Sequence, residues 1–78
     1  MRMTCIPVKL KTADDAFTFV QKIRRYPFNM DLRWDTYQIN AKSMLGVVGL
    51  SVGEKVILYM DTNESKSVLK DISQYIEA

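Results

Sequence analysis

Ala41-Lys42-Ser43-Met44-Leu45-Gly46-Val47-Val48-Gly49-Leu50 is the stretch on which the fold of this chain turns. Ser43 stands immediately before an apolar run, where a helix N-cap belongs. Its hydroxyl can take one of the amides that a first helical turn leaves unpaired. The run predicts a short helix to about Gly49, weakened at Gly46 and Gly49 by roughly 1 kcal/mol each against alanine. In so short a helix only one face can pack on the rest of the molecule. Leu45 with Val48 or Leu50 can supply that face, which makes Met44 and Val47 the favoured exposed pair. The same spacing also allows each of Met44, Val47 and Val48 to be core.

Upstream, Ile6, Val8 and Leu10 alternate with Pro7, Lys9 and Lys11, the period of a half-buried strand. Pro7 has no amide to give a ladder, so that position must face solvent or an irregularity. Thr12 reads as a helix N-cap with Asp15 at the third helical position, a short-acid capping box. Ala16, Phe19, Val20 and Ile23 follow at helical spacing, Lys22, Arg24 and Arg25 suit the negative end, and Pro27 terminates the helix. Residues 28–33 and 37–40 then predict a hairpin through Trp34-Asp35-Thr36.

Downstream, Val52-Gly53-Glu54 turns the chain into residues 55–61, apolar enough for a central strand. Asn63 caps a last helix with Val68, Leu69, Ile72, Tyr75 and Ile76 on one face. The elements make an α+β domain, one helical layer on a four-stranded sheet. Their order leaves the topology open, because a ferredoxin-like βαββαβ arrangement fits the first six elements equally well.

Composition narrows the function classes. Residues 1–78 form one domain. Eleven Lys and Arg against nine Asp and Glu give a net charge of +2, too small to imply nucleic acid. The basic residues concentrate at Lys9, Lys11, Lys22, Arg24 and Arg25, which read as a solvated helix end and its surroundings. Cys5 alone excludes an internal disulfide and fits a reducing, cytoplasmic setting. It falls on the strand face opposite Ile6 and Val8 and reads as inert. No run approaches the ~20 apolar residues of a membrane span, and Met1-Arg2-Met3-Thr4-Cys5 has no signal-peptide core. Trp34 in its turn is either a contact residue or folds back over the sheet edge. No metal-ligand cluster, nucleophile–base pair or glycine-rich phosphate loop is present, so neither an enzyme nor a cofactor is expected.

Lys42-Ser43-Met44-Leu45 followed by Val47 and Leu50 resembles the regulatory-serine segment of the HPr family, the phosphocarrier proteins of the bacterial sugar phosphotransferase system. The Phe19-Val20 pair, the element order and the last helix agree in spacing over most of the chain. The resemblance implies an HPr-like open-faced sandwich, an antiparallel sheet in order 1-4-2-3 covered on one face by three helices. It implies an exposed apolar patch, here Lys42, Met44, Val47 and Val48. That patch would dock enzyme I without phosphotransfer, the HPr kinase/phosphorylase and a transcriptional regulator of catabolite control. A monomer or weak dimer is expected, with no nucleic acid and no membrane as partner.

HPr carries its phosphoryl group on a histidine in the loop after its first strand, and this chain has no histidine. The matching stretch is Leu10-Lys11-Thr12-Ala13-Asp14-Asp15. Thr12 falls at the acceptor position and Asp14 near that of the phosphate-clamping arginine. The loop is degenerate on physical grounds as well. Thr12 as a cap uses an amide that a phosphate needs, and Asp14 with Asp15 repels a further anion. Ser43, by the same resemblance, is the regulatory phosphorylation site. A phosphoserine there adds about two negative charges where a helix start favours them, with Lys42 beside it. Two readings follow: a regulatory interaction module acting through Ser43 and the helix after it, or a small binding or assembly module that keeps only the fold, with Ser43 a cap.

Overall fold

Alternation along the strands decides which side of the sheet is buried. A computed structural model describes residues 3–77; Met1, Arg2 and Ala78, which the readings of the N-terminus and of the domain span include, lie outside the described residues. In β1 (Thr4–Lys9) the side chain of Val8 is fully buried, while Cys5 and Pro7 are exposed. Met30, Leu32 and Trp34 of β2 (Met30–Trp34) and Val56, Leu58 and Met60 of β4 (Lys55–Met60) line the same core. With β3 (Tyr37–Asn40) these strands pair antiparallel throughout, in the order β1-β4-β2-β3. The HPr-like order is therefore the one adopted, and the ferredoxin-like alternative is excluded.

Pro7 fits because of its register. Its carbonyl accepts the Glu77 N–H at 2.9 Å, on the edge away from β4. In an antiparallel strand the N–H and C=O of one residue point to the same side, so the missing amide of Pro7 removes nothing from the β1–β4 ladder. The C-terminal residues thus cover the outer edge of β1, with Ile76 bridging Val8. Ile76 is extended there, not on the face of a last helix as its spacing suggests.

Helix α1 (Ala13–Ile23) buries Ala16, Phe19, Val20 and Ile23 as the spacing predicts. It stops at Ile23, before Pro27 is reached, and a turn closes through Tyr26 N–H to Ile23 O at 3.1 Å. The hairpin is tighter than the sequence suggests. Trp34 pairs with Tyr37 at the strand ends, leaving Asp35 and Thr36 as a two-residue turn with Asp35 at φ 50°. Aspartate tolerates that left-handed conformation better than most residues. Trp34 folds back on the core and stacks on Tyr37, with ring centroids 5.2 Å apart.

Helix α2 (Met44–Gly46) continues without a break into a wide π-helical turn, Val47–Ser51. The last helix, α3 (Lys66–Asp71), starts later than Asn63. Thr62 Oγ1 accepts the Glu64 N–H at 2.9 Å, a local turn that holds this stretch out of helical geometry, and Ser65 becomes the cap residue. Beyond α3 a 3-10 turn, Ser73–Tyr75, swings Tyr75 under the sheet, edge-on to Phe19 at 5.8 Å. All three helices lie on one face.

Candidate functional site

Two serine- and threonine-capped helix starts are the chemistry-bearing features, and backbone bonds fix where they stand. Gly53 N–H bonds Leu10 O at 2.8 Å, tying the end of the π-helical turn to the loop before α1. Arg24 Nε–H bonds Lys42 O at 3.0 Å, tying the end of α1 to the start of α2. The two helical segments are therefore antiparallel. Thr12 and Ser43 stand at opposite ends of the pair, about 16 Å apart by the length of α1.

Thr12 is an N-cap with extended backbone (φ −133°, ψ 165°), and its Oγ1 accepts the Asp15 N–H at 3.1 Å. Asp14 and Asp15 occupy the first turn. The end of the helix that would hold an anion is thus capped by a hydroxyl and flanked by two carboxylates. Thr12 and Asp14 are both exposed, as a surface loop requires.

Ser43 also has extended backbone (φ −86°, ψ 108°), and its Oγ accepts the Gly46 N–H at 3.3 Å. The cap predicted from sequence is present. The faces of the segment after it are reversed, however. Val47, expected outside, is fully buried, while Leu45, expected on the sheet, is 90% exposed and Leu50 is half exposed. Met44 and Val48 are half-buried and pack against the core. Apolar residues occur on every side of this segment, so hydrophobicity does not select its rotation. Ser51 is buried on the same side as Val47 and donates its hydroxyl to Val47 O at 2.6 Å, so its polarity is satisfied within the turn and it can occupy an inward position.

Gly49 lies on the outward side with Leu45, and nothing approaches within 4 Å of where its Cβ would stand. Gly49→Ala is expected to stabilise the domain by about 0.5–1 kcal/mol, seen as a higher midpoint in thermal denaturation. At Gly46 a Cβ would meet Ser43 Oγ at 3.3 Å, so Gly46→Ala is expected to gain less or to lose. A lower midpoint for Gly49→Ala than for Gly46→Ala would contradict this geometry.

Lys42 is half-buried and its ammonium donates to Tyr26 O, across the end of α1 rather than toward Ser43. Lys22 Nζ donates to Asp71 O at 3.1 Å, and Arg25 Nε to Lys22 O at 3.3 Å. Lys22, Arg24, Arg25 and Lys42 are therefore tied to backbone carbonyls rather than forming a free stripe. Tyr26 donates its hydroxyl to Asp71, and that bond, with burial and the carboxylate's charge behind it, holds the phenol above its usual range. Cys5 is exposed, and no group of three metal-ligating side chains occurs among the described residues. No helix among them is long and apolar enough to cross a membrane.

Two surface residues were not picked out from sequence. Leu45 is expected on the packed face and is instead open to solvent. Phe17, about half exposed, shares a stripe of α1 with Asp14, Gln21 and Arg24. An aromatic on the polar stripe of an amphipathic helix is a signal legible in sequence.

The described geometry has known counterparts. The chain is 31% identical over 77 residues to the HPr-like protein Crh of Bacillus subtilis, covering 92% of this chain and 91% of that one. It is 30% identical to the HPr-like protein Crh of Halalkalibacterium halodurans, covering 92% of each. Among solved structures it is similar to HPr-C-His from Thermoanaerobacter tengcongensis, with a TM-score of 0.69 and 28% identity over 95% of this chain and 89% of that one. The phosphocarrier protein HPr from Bacillus anthracis shares the fold, with a TM-score of 0.74 and 20% identity over 99% and 100% of the two chains. No family model matches.

Proposed function

This chain belongs to the HPr family, and on that premise we propose that it is a regulatory, non-enzymatic member of the phosphotransferase system that acts through Ser43 instead of carrying phosphate on histidine. The observation that carries the reading is the state of the loop after β1. There is no histidine anywhere in the chain, and Thr12, at the matching position, holds an α1 amide behind two carboxylates. A phosphoryl group brought there would meet like charge. At Ser43 the first turn of α2 contains no acid, and the hydroxyl is on a half-exposed residue.

In the modification, Ser43 Oγ attacks the γ-phosphorus of ATP, the bond to the β-phosphate bridging oxygen breaks, ADP leaves and the hydroxyl proton passes to a base of the kinase. The product carries about two added negative charges at a helix start, where free amides and the dipole tolerate them. The surface a partner would read comprises Lys42, Met44, Leu45 and Val48, with Phe17 across on α1. Val47 leaves the patch because it is buried. The partners are an HPr kinase/phosphorylase, a transcriptional regulator of catabolite control and, without phosphotransfer, enzyme I, all in the cytoplasm.

Incubation with ATP and an HPr kinase/phosphorylase is expected to label the chain at Ser43, with Ser43→Ala at background. Phosphoenolpyruvate with enzyme I is expected to give no acid-labile phosphoprotein, and labelling there would overturn the reading. The Ser43 Oγ bond to Gly46 N–H favours one second reading, a binding or assembly module in which Ser43 is only a cap. A folded chain left unmodified by the kinase would decide for it.

A further inference from the structure

Of the basic groups gathered at the end of α1, Arg24 is the one anchored beside Ser43. Its Nε–H is hydrogen-bonded to Lys42 O at 3.0 Å, the carbonyl of the peptide that Ser43 itself completes. The guanidinium is thereby tied to the Lys42–Ser43 peptide, and among the described residues no hydrogen bond is made by its two terminal amino groups. Arg24 is exposed, and among the described residues it is in no ion pair. Lys42, the neighbour in sequence, is directed to Tyr26 O, and Lys22 to Asp71 O. The ammonium nearest in sequence is therefore not the cation best placed to meet a charge on Ser43.

The geometry points to Arg24 as the internal phosphate-binding group of the Ser43-phosphorylated chain. A guanidinium presents paired N–H donors in a plane, which match two phosphoryl oxygens; an ammonium offers only a point charge. With Nε on Lys42 O, the terminal nitrogens are left to engage the phosphoryl group. The modification then joins the last turn of α1 to the start of α2 through a charge-assisted pair. The patch bearing Leu45 is held to the stripe bearing Phe17 in the modified form more firmly than in the unmodified one. This inference rests on the reading of Ser43 as the modified residue.

The test installs phosphoserine at position 43 during synthesis of the full chain, so that it does not depend on any kinase. Phosphorus NMR then follows the second ionisation of the phosphomonoester, with circular dichroism confirming the fold of each protein. With Arg24 present that ionisation is expected to fall by about half a unit to one unit relative to Arg24→Gln, because a nearby cation favours the dianion. Arg24→Lys is expected to recover part of the shift, and Lys42→Gln to reduce it less than Arg24→Gln does. Identical titrations for the parent and Arg24→Gln, or a larger effect from Lys42→Gln, would overturn the assignment. A kinase that leaves the unmodified chain untouched sinks the functional reading instead, and the two failures are separately visible.

Discussion

Val47→Glu is expected to unfold the domain, and Leu45→Glu to leave it folded with the midpoint of thermal denaturation unchanged within a degree or two. The two positions lie two residues apart in one short segment, and both carry a branched aliphatic side chain. Val47 has no exposed surface and belongs to the core, where it lies among side chains from both the sheet and α1. Removing its burial loses about 1.5–3 kcal/mol, and placing a carboxylate there without a partner costs several kcal/mol more. A domain of this size has a total stability of only about 4–12 kcal/mol. Leu45 is 90% exposed, so its replacement removes almost no buried area. Circular dichroism melts of the two variants provide the comparison. Leu45→Glu carries a second expectation: loss of modification by the kinase at least tenfold, because the charge would fall within the docking surface while Ser43 remains capped. Equal destabilisation by both variants would mean that the rotation of this segment is other than described.

Hydrophobic period was reliable where an element has one buried face and one wet one. The strand alternation buries Val8 and Leu10 fully and leaves Ile6 half-buried against the core, and the stripe of Ala16, Phe19, Val20 and Ile23 is buried as its spacing predicts. Side-chain caps were legible for the same reason, since Thr12 and Ser43 can satisfy amides only two or three residues ahead. The rotation of the segment after Ser43 was not legible. Its apolar residues surround the axis, and its inward position is taken by a serine whose hydroxyl bonds the carbonyl four residues back. A rule that sends apolar residues inward and polar ones outward inverts such a turn. The late start of α3 has a comparable cause, a threonine bonded locally where Asn63 looked the better cap. Spacing alone makes Arg24 a residue that suits a helix end. Its anchor on Lys42 O is a contact between elements that spacing along the chain does not reveal.

The loop after β1 allows a gain of chemistry to be predicted. Thr12→His with Asp14→Arg is expected to make the chain accept phosphate from phosphoenolpyruvate through enzyme I, where the parent accepts none. Thr12→His alone supplies a nucleophile but leaves Asp14 and Asp15 in the first turn. A phosphoryl dianion about 6 Å from two carboxylates is opposed by roughly 3 kcal/mol even at the dielectric of water, and salt reduces this only in part. Replacing Asp14 by arginine turns one of the two repulsions into an attraction of equal size, so the electrostatic sum falls to near zero. A difference of that size is roughly a hundredfold in the phosphorylation equilibrium. The substitution at Thr12 also removes the bond to Asp15 N–H, a loss of about 1 kcal/mol that the fold can bear. The expected series is therefore no acid-labile label in the parent or in Asp14→Arg, weak labelling in Thr12→His, and labelling at least tenfold stronger in the double variant. A folded double variant that stays unlabelled would show that a histidine at position 12 and relief of the charge at Asp14 do not suffice to restore a carrier site.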